Sequence, residues 1–294
     1  MIIFAGGMLG WFHMVKVFMP SQTPEIVLKS NRTLTSMPTV KSNRNPDVNM
    51  EENSTIQITI LYDNNNYNRQ LRTSWGFASL IEGLDETILF DTGGDISILL
   101  SNMHQLKINP EDVDVIIISH IHHDHVGGLS GFLKTNPKVR VYLPKTFPES
   151  IKNMVRGYEA KMVEVGEPME ICENAYSSGE LGISIIEQSL IIKTEKGLVI
   201  ITGCSHPGIV NIVKHVKKEF GNDIYLILGG FHLSGLTRLE LNEIINEIRQ
   251  LGVIKVAPCH CSGDLARNLF EIVYGENFIL AGVGKKIEIS SARK

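Results

Sequence analysis

Four histidines fall within six residues of the segment SHIHHDHVGG, Ser119–Gly128, in the pattern His120-x-His122-x-Asp124-His125. Imidazole nitrogens and a carboxylate oxygen are the donors that borderline divalent metals take. A spacing of two puts His120 and His122 on one side of an extended segment, and a turn beyond it brings Asp124 and His125 onto an adjacent position. So many ligand-capable groups in so short a stretch could feed one ion or two. Zinc is the expected metal, with iron or manganese as alternatives. His123 lies outside the pattern and is expected to face solvent or to support a ligand. A solvated polar loop is the competing reading, and the regular spacing of the donors argues against it.

These residues need strands to deliver them. IQITILYD (Ile56–Asp63) alternates apolar residues at Ile56, Ile58 and Ile60, as a half-buried strand does. FASLIEG and ETILFDTGG read as two more strands, with glycines after Asp91 allowing a tight turn beside that carboxylate. DVDVIIISH is an apolar run without polar alternation, which suits an interior strand covered on both faces and ending on His120. VRVYLPK, ISIIEQSLIIKT, KGLVIITG and DIYLILGG continue the pattern, and the last two end in glycine shortly before His206 and His232. Helices are expected from Asp95 to Met103, from Pro207 to Phe220, and after a capping box at Thr237 and Glu240. That last helix carries the apolar stripe Leu241, Ile244, Ile245, Ile248 and Leu251, with Gly252 as its stop. Strands interleaved with helices imply sheets covered by helices, an α/β arrangement.

The 294 residues are 43% hydrophobic and 20% charged, with a formal charge of −4. That excludes a disordered acidic chain and argues against binding nucleic acid electrostatically, which needs a basic face. No P-loop or G-x-G-x-x-G follows any strand, so nucleotide binding of those kinds is not expected. Met1–Phe12 is apolar but shorter than the ~20 residues of a membrane span, and His13 and Lys16 interrupt the apolar residues beyond Phe12. No membrane span is expected. Residues 1–55 read as an apolar, then polar, disordered extension, and 56–294 as one catalytic domain. The lack of a clear export signal, with four cysteines too few for a disulfide scaffold, leads to an expected cytoplasmic location.

HIHHDH is similar to the metal-binding signature of the metallo-β-lactamase superfamily. That resemblance, which runs from residue 56 onward, implies a four-layer αββα sandwich, in the α/β (α+β) class. LFDTGG resembles the superfamily's early strand, which implies that Asp91 orients the metal loop without being a ligand. The superfamily pattern of later ligands implies a His, a bridging Asp and a last His. His260, in APCHC, matches the last. At the bridging position this chain has Cys204, either a thiolate ligand or a small buried hydrophobe, with His206 two residues on. No His lies between His125 and His206, so Glu187 stands where the middle ligand is due, unless His206 folds back to fill it. His232, in GGFHL, could be a ligand, a general acid, a phosphate-binding group or a structural residue. Cys259 and Cys261 flank His260 without C-x-x-C spacing and are expected to pack near the site.

LYDNN, RTSWGFASLIE, GCSHPGIVN, GGFHL and APCHCSGD together resemble a narrower subgroup, the 7,8-dihydropterin-6-yl-methyl-4-(β-D-ribofuranosyl)aminobenzene 5′-phosphate synthases. The resemblance implies transfer of a dihydropterin-methyl group from its diphosphate to an arylamine, so a phosphorylated small-molecule substrate. Asp124 and His232 are the candidate catalytic residues, Asp124 as a ligand rather than a base. Asn64, Asn65 and Trp75 are candidate substrate contacts, against turn formation and core packing as the plainer readings. The alternatives are a hydrolase of a phosphoester, lactone or thioester using a metal-activated water, and a non-catalytic metal sensor.

Overall fold

In the computed structural model the described residues are 55–221 and 223–290; the expected extension, all but Thr55, lies outside them. In chain order the elements are β1 (Thr55–Tyr62), β2 (Ala78–Glu82), β3 (Ile88–Phe90), α1 (Ile96–Gln105), β4 (Val115–Ile117), α2 (His123–Val126), α3 (Leu129–Thr135), β5 (Arg140–Pro144), α4 (Glu149–Gly157) and β6 (Lys161–Val165). Next come β7 (Met169–Cys172), β8 (Ala175–Ser177), β9 (Leu190–Thr194), β10 (Gly197–Thr202), α5 (Ile209–Phe220), β11 (Ile224–Gly230), α6 (Arg238–Gln250), β12 (Lys255–Cys259), α7 (Asp264–Tyr274) and β13 (Lys286–Ser290). Two mixed sheets result, ordered β13-β1-β2-β3-β4-β5-β6 and β12-β11-β10-β9-β8-β7.

Side-chain alternation explains how the sheets stack. Ile56, Ile58 and Ile60 of β1 meet Val199 and Ile201 of β10 and Leu226 and Leu228 of β11 in one buried layer between the sheets. The opposite faces of the same strands bury Leu198, Ile200 and Ile227 against α5, α6 and α7. On the other side Leu89, Ile116 and Val141 pack on α1, α3 and α4. The order is therefore helices, sheet, sheet, helices, the expected four-layer αββα sandwich. Strands apolar on both faces are the signature of this double covering, and each fully buried Ile, Leu or Val contributes roughly 1.5–3 kcal/mol.

Local signals set several boundaries. Asp95 caps α1 by accepting from the Ser97 backbone N–H at 2.8 Å. The capping box of α6 forms, with the Thr237 N–H donating to Glu240 at 2.8 Å and the Glu240 N–H donating back to the Thr237 hydroxyl. The expected stripe is buried at Leu241, Ile245 and Ile248, and Ile244 and Leu251 pack at its edge. One expectation needs correcting. Of ISIIEQSLIIKT only Leu190–Thr194 is a strand, because Glu187 and Gln188 turn inward to hold neighbouring loops. Gln188 donates to the Ile118 carbonyl at 2.9 Å and so ties the second sheet to the end of β4.

Candidate metal centre

The histidines of the motif, and Cys204, His206, His232 and His260 after them, lie beyond the carboxyl ends of strands. β4 leads to Ser119 and His120, and α2 begins at once, with His122 extended (φ −64°, ψ 143°) before its first turn. That turn carries Asp124 and His125. β10 leads to Cys204 and His206, β11 to His232, and β12 to His260. Asp91, His232 and His260 have φ of 60°, 53° and 48°, left-handed conformations that cost about 1–3 kcal/mol at a residue other than glycine. Such strain persists where surrounding bonds over-determine the backbone, and with Ser205 these make four of the seven described non-glycine residues of positive φ.

Two trios of donors face each other. His122 Nδ1 lies 3.1 Å from both His120 Nε2 and His206 Nε2. His260 Nε2 lies 3.3 Å from His125 Nε2 and 3.2 Å from an Asp124 oxygen. The Cys204 sulfur stands between the trios, 3.2 Å from His125 Nε2 and within 4.8 Å of the His120 and His206 donor atoms. The residues fit a metal. Ligand atoms bonded at about 2.0–2.1 Å in a tetrahedron sit about 3.3 Å apart, close to the separations here. His122 Nδ1 also cannot satisfy two imidazole nitrogens at once, whereas one cation satisfies all three.

On His120, His125 and His260 the other imidazole nitrogen is held from behind. Asp91 accepts from the Ser119 N–H and hydroxyl, each at 2.7 Å, and from His125 Nδ1 at 2.7 Å. Since the Ser119 proton goes to Asp91, its oxygen accepts from His120 Nδ1 at 2.9 Å. Asn64 Oδ1 accepts from His260 Nδ1 at 3.0 Å, and Asp63 accepts the His260 backbone N–H at 3.2 Å. These bonds orient the nitrogen that faces the site, which a metal would take in its unprotonated state. Gly203 makes the packing possible. A Cβ there would lie 2.1 Å from the Ser119 hydroxyl and 3.1 Å from Asp91.

The electrostatics follow from burial and crowding. Burial pulls His120 well below the usual imidazole range, and its histidine neighbours add to this. Burial also brings His206 down to about 4, helped by the nearby His232 and His122. His125 is also fully buried, but the Asp91 carboxylate more than offsets that and raises it. Burial pushes Asp124 up, yet its hydrogen bond with His260 and the His125 charge outweigh this and keep the carboxyl low. The hydrogen bond between Cys204 and Cys261 raises the Cys204 thiol and lowers that of Cys261.

Several expectations change. Glu187 is not brought to the trios as a substitute ligand. It is buried, with one oxygen accepting from the Cys204 and Ser205 N–H groups and the Thr202 hydroxyl, all at 2.9 Å, and the other from the His206 N–H at 2.8 Å. His206, folding back, takes the place beside His120 and His122. Asn64 is turned to His260, and Asn65 to Asp63 and Arg267, and both line a cavity beside His260. Trp75 is 56% exposed rather than core, with its ring 4.8 Å from that of His260. His232 is exposed at the edge, its ring 4.4 Å from His206. Hydrogen bonding to Cys261 raises its pKa against the opposing effect of burial. Cys261, read as packing, has its sulfur 3.4 Å from that of Cys204. Asp63 and Ser119 escaped the sequence reading, although each directly precedes a residue it singled out.

The sequence profile of the metallo-beta-lactamase superfamily matches residues 76–216, a span that includes the motif, Cys204 and His206 and stops short of His232 and His260. The chain is 31% identical over 279 residues to the 7,8-dihydropterin-6-methyl-4-(beta-D-ribofuranosyl)-aminobenzene-5′-phosphate synthase of Methanocaldococcus jannaschii, covering 78% of this chain and 95% of the relative. A solved structure described as a metal-dependent hydrolase of the beta-lactamase superfamily superposes with a TM-score of 0.68 at 30% identity, covering 80% of this chain and all of that one. A ribonuclease Z of Alkaliphilus oremlandii is 32% identical over 111 residues, 37% of this chain and 33% of the relative. None of the described helices is long and apolar enough to cross a membrane.

Proposed function

The chain belongs to the metallo-beta-lactamase superfamily, and from that premise we propose that it is a metal-dependent transferase joining a dihydropterin-methyl group to an arylamine nitrogen. The observation that carries this reading is its length-wide likeness to the synthase, 95% of which it covers. In this reading His120, His122 and His206 would hold one divalent ion and Asp124, His125 and His260 a second, with Cys204 lying between the two trios. Zinc suits the mixed nitrogen, oxygen and sulfur set. When bound, the ions supply positive charge that neutralises a diphosphate leaving group.

The chain's own residues do the rest. His125, His120 and His260, oriented by Asp91, Ser119 and Asn64, are fixed before substrate arrives, so less reorganisation remains. The arylamine nitrogen forms a bond to the pterin methylene carbon as the carbon–oxygen bond to diphosphate breaks. The nitrogen's proton passes to His232, which is exposed at the rim and raised in pKa by Cys261. Asp124, held low by its histidine neighbours, stays ionised as a ligand.

The test is to incubate metal-loaded protein with 6-hydroxymethyl-7,8-dihydropterin diphosphate and 4-(β-D-ribofuranosyl)aminobenzene 5′-phosphate, following diphosphate release. Release that requires the arylamine supports the transferase. A hydrolase is the second reading, favoured by the likeness at 30% identity to the structure described as a metal-dependent hydrolase, and release without the arylamine would select it. Tight metal binding with no turnover of any substrate would leave a sensor.

A further inference from the structure

The donor trios do not account for Trp75. Its backbone is pinned on both sides, the Ser74 N–H donating to the Asp63 carbonyl and the Phe77 N–H to the Asp124 carbonyl, each at 3.2 Å. Gly76 makes that approach possible, since a Cβ there would fall 2.4 Å from the Asp124 carbonyl oxygen. A chain fixed this firmly nonetheless presents an indole that is 56% exposed. The ring leans on His260 at 4.8 Å and 55° and leaves more than half its surface open. Trp75 also walls a cavity of about 220 Å³, with His260, Ser234, Gly263 and Asp264 on its other sides. Drug-sized ligands take about 300–1,000 Å³, so this space suits a single flat ring system.

The polar groups narrow the chemistry. The Asn64 and Asn65 amides at the cavity are already engaged with His260, Asp63 and Arg267. What remains at the rim is the Ser234 hydroxyl and the Asp264 carboxylate, 93% exposed, with the Arg267 guanidinium 3.8 Å from it. A carboxylate offers two acceptors side by side, and it pairs best with two parallel N–H donors. A 2-amino-4-oxopyrimidine ring carries that pair on one edge, in its amino group and the adjacent ring N–H.

We infer that this cavity is a stacking subsite for a flat bicyclic ring with a 2-amino-4-oxopyrimidine edge, the face lying on Trp75 and the edge on Asp264. The inference names the ring bound by the site under the transferase reading, and for the pterin it rests on that reading. Guanine shares the edge, so the two sources of the ring must be separated by experiment.

The chain has two tryptophans, Trp11 and Trp75, so Trp11→Phe leaves Trp75 as the sole emitter. In metal-loaded Trp11→Phe protein, 6-hydroxymethyl-7,8-dihydropterin and guanosine monophosphate are titrated separately by calorimetry and by tryptophan emission. Dihydropterin is expected to bind and to quench Trp75 saturably. Adding Trp75→Ala should weaken binding at least about tenfold, the usual cost of losing one stacking partner. Trp75→Phe should restore it to within about threefold, and Asp264→Ala should weaken it severalfold, all with unchanged metal content. Unchanged affinity in Trp75→Ala or Asp264→Ala, binding without quenching, or binding of neither ring overturns the subsite. If guanosine monophosphate binds with this dependence and dihydropterin does not, the subsite stands and the pterin reading fails. If arylamine-dependent transfer proceeds with the same KM in Trp75→Ala, the subsite fails and the transferase reading stands.

Discussion

The Cys261 sulfur lies 3.4 Å from that of Cys204, while Cys204 also reaches to 3.2 Å from His125 Nε2. The two thiols are neighbours with unequal positions, since only Cys204 lies against both donor trios. Cys204→Ser is therefore expected to lower bound metal by about one equivalent per chain, and Cys261→Ser to leave metal content intact. Elemental analysis of both purified variants checks this, and equal retention in both would remove the thiolate role.

Asp91 and Ser119 hold two of the candidate ligands, His125 and His120, from behind. Asp91→Asn keeps the shape but lets His125 lose its ionic partner, and Ser119→Ala removes the acceptor for His120 Nδ1. Each should weaken metal affinity about 10–100-fold with stoichiometry at saturation preserved. Competition against a zinc chelator measures the affinity. A fall in saturating stoichiometry would instead mark Asp91 as a ligand.

Glu187→Gln discriminates positioning from ligation. The buried carboxylate accepts three backbone N–H groups from Cys204, Ser205 and His206, and the amide can accept at one oxygen only. A loss of about 1–3 kcal/mol of stability is expected, from the N–H left unpaired. Denaturant unfolding gives that number, and full metal occupancy in the same variant is the companion expectation. Loss of one metal equivalent at unchanged stability would return Glu187 to the ligand set.

Gly203→Ala tests the tightest approach in the centre. The added Cβ would meet the Ser119 hydroxyl at 2.1 Å, so the Ser119–Asp91 pair must move. Overpacking of this kind costs about 1–3 kcal/mol. Here it should also lower metal affinity, because the displaced pair orients both His120 and His125. Wild-type affinity in a folded Gly203→Ala protein would contradict the arrangement.

Acid should destabilise the metal-free protein through His206. Burial first, then His232 and His122, lowers its pKa to about 4 from the ordinary 6.5. Between those values the unfolded chain binds a proton that the folded chain does not, so stability falls as pH drops through the window. His120, lowered by burial, acts with the same sign. His125, raised by Asp91, acts oppositely, its contribution being lost as pH rises through its folded value. The loss of melting temperature from pH 6.5 to 4 should be smaller in metal-free His206→Ala than in wild type. An equal or larger loss in the variant would refute this.

Much of the fold was legible because it is written in local periods. The alternation in Ile56–Ile60, the uninterrupted apolar runs of β4, β10 and β11, and the Thr237 capping box each need only neighbouring residues to be read. The motif histidines were legible for the same reason. What escaped depends on pairs far apart in the chain. Asn64 meets His260 across 196 positions, and Cys204 meets Cys261 across 57. Glu187 looked like a strand residue near a ligand position, and its backbone partners 17 to 19 residues on revealed its part only in three dimensions. Strands β6 to β8 have short, half-exposed patterns without a clean period, and no strand was read there.

Asp91 touches His125 directly and His120 through the Ser119 hydroxyl, so one carboxylate serves a donor in each trio. Ordering either imidazole fixes Asp91 and Ser119, and with them the other imidazole, before a second ion arrives. The entropy of assembling this shared frame is lost once, on the first binding event. Under the proposed two-ion reading, occupancy of the two positions would be a linked equilibrium: titration with metal should rise more steeply than for independent sites, and half-loaded protein should be scarce at intermediate concentrations.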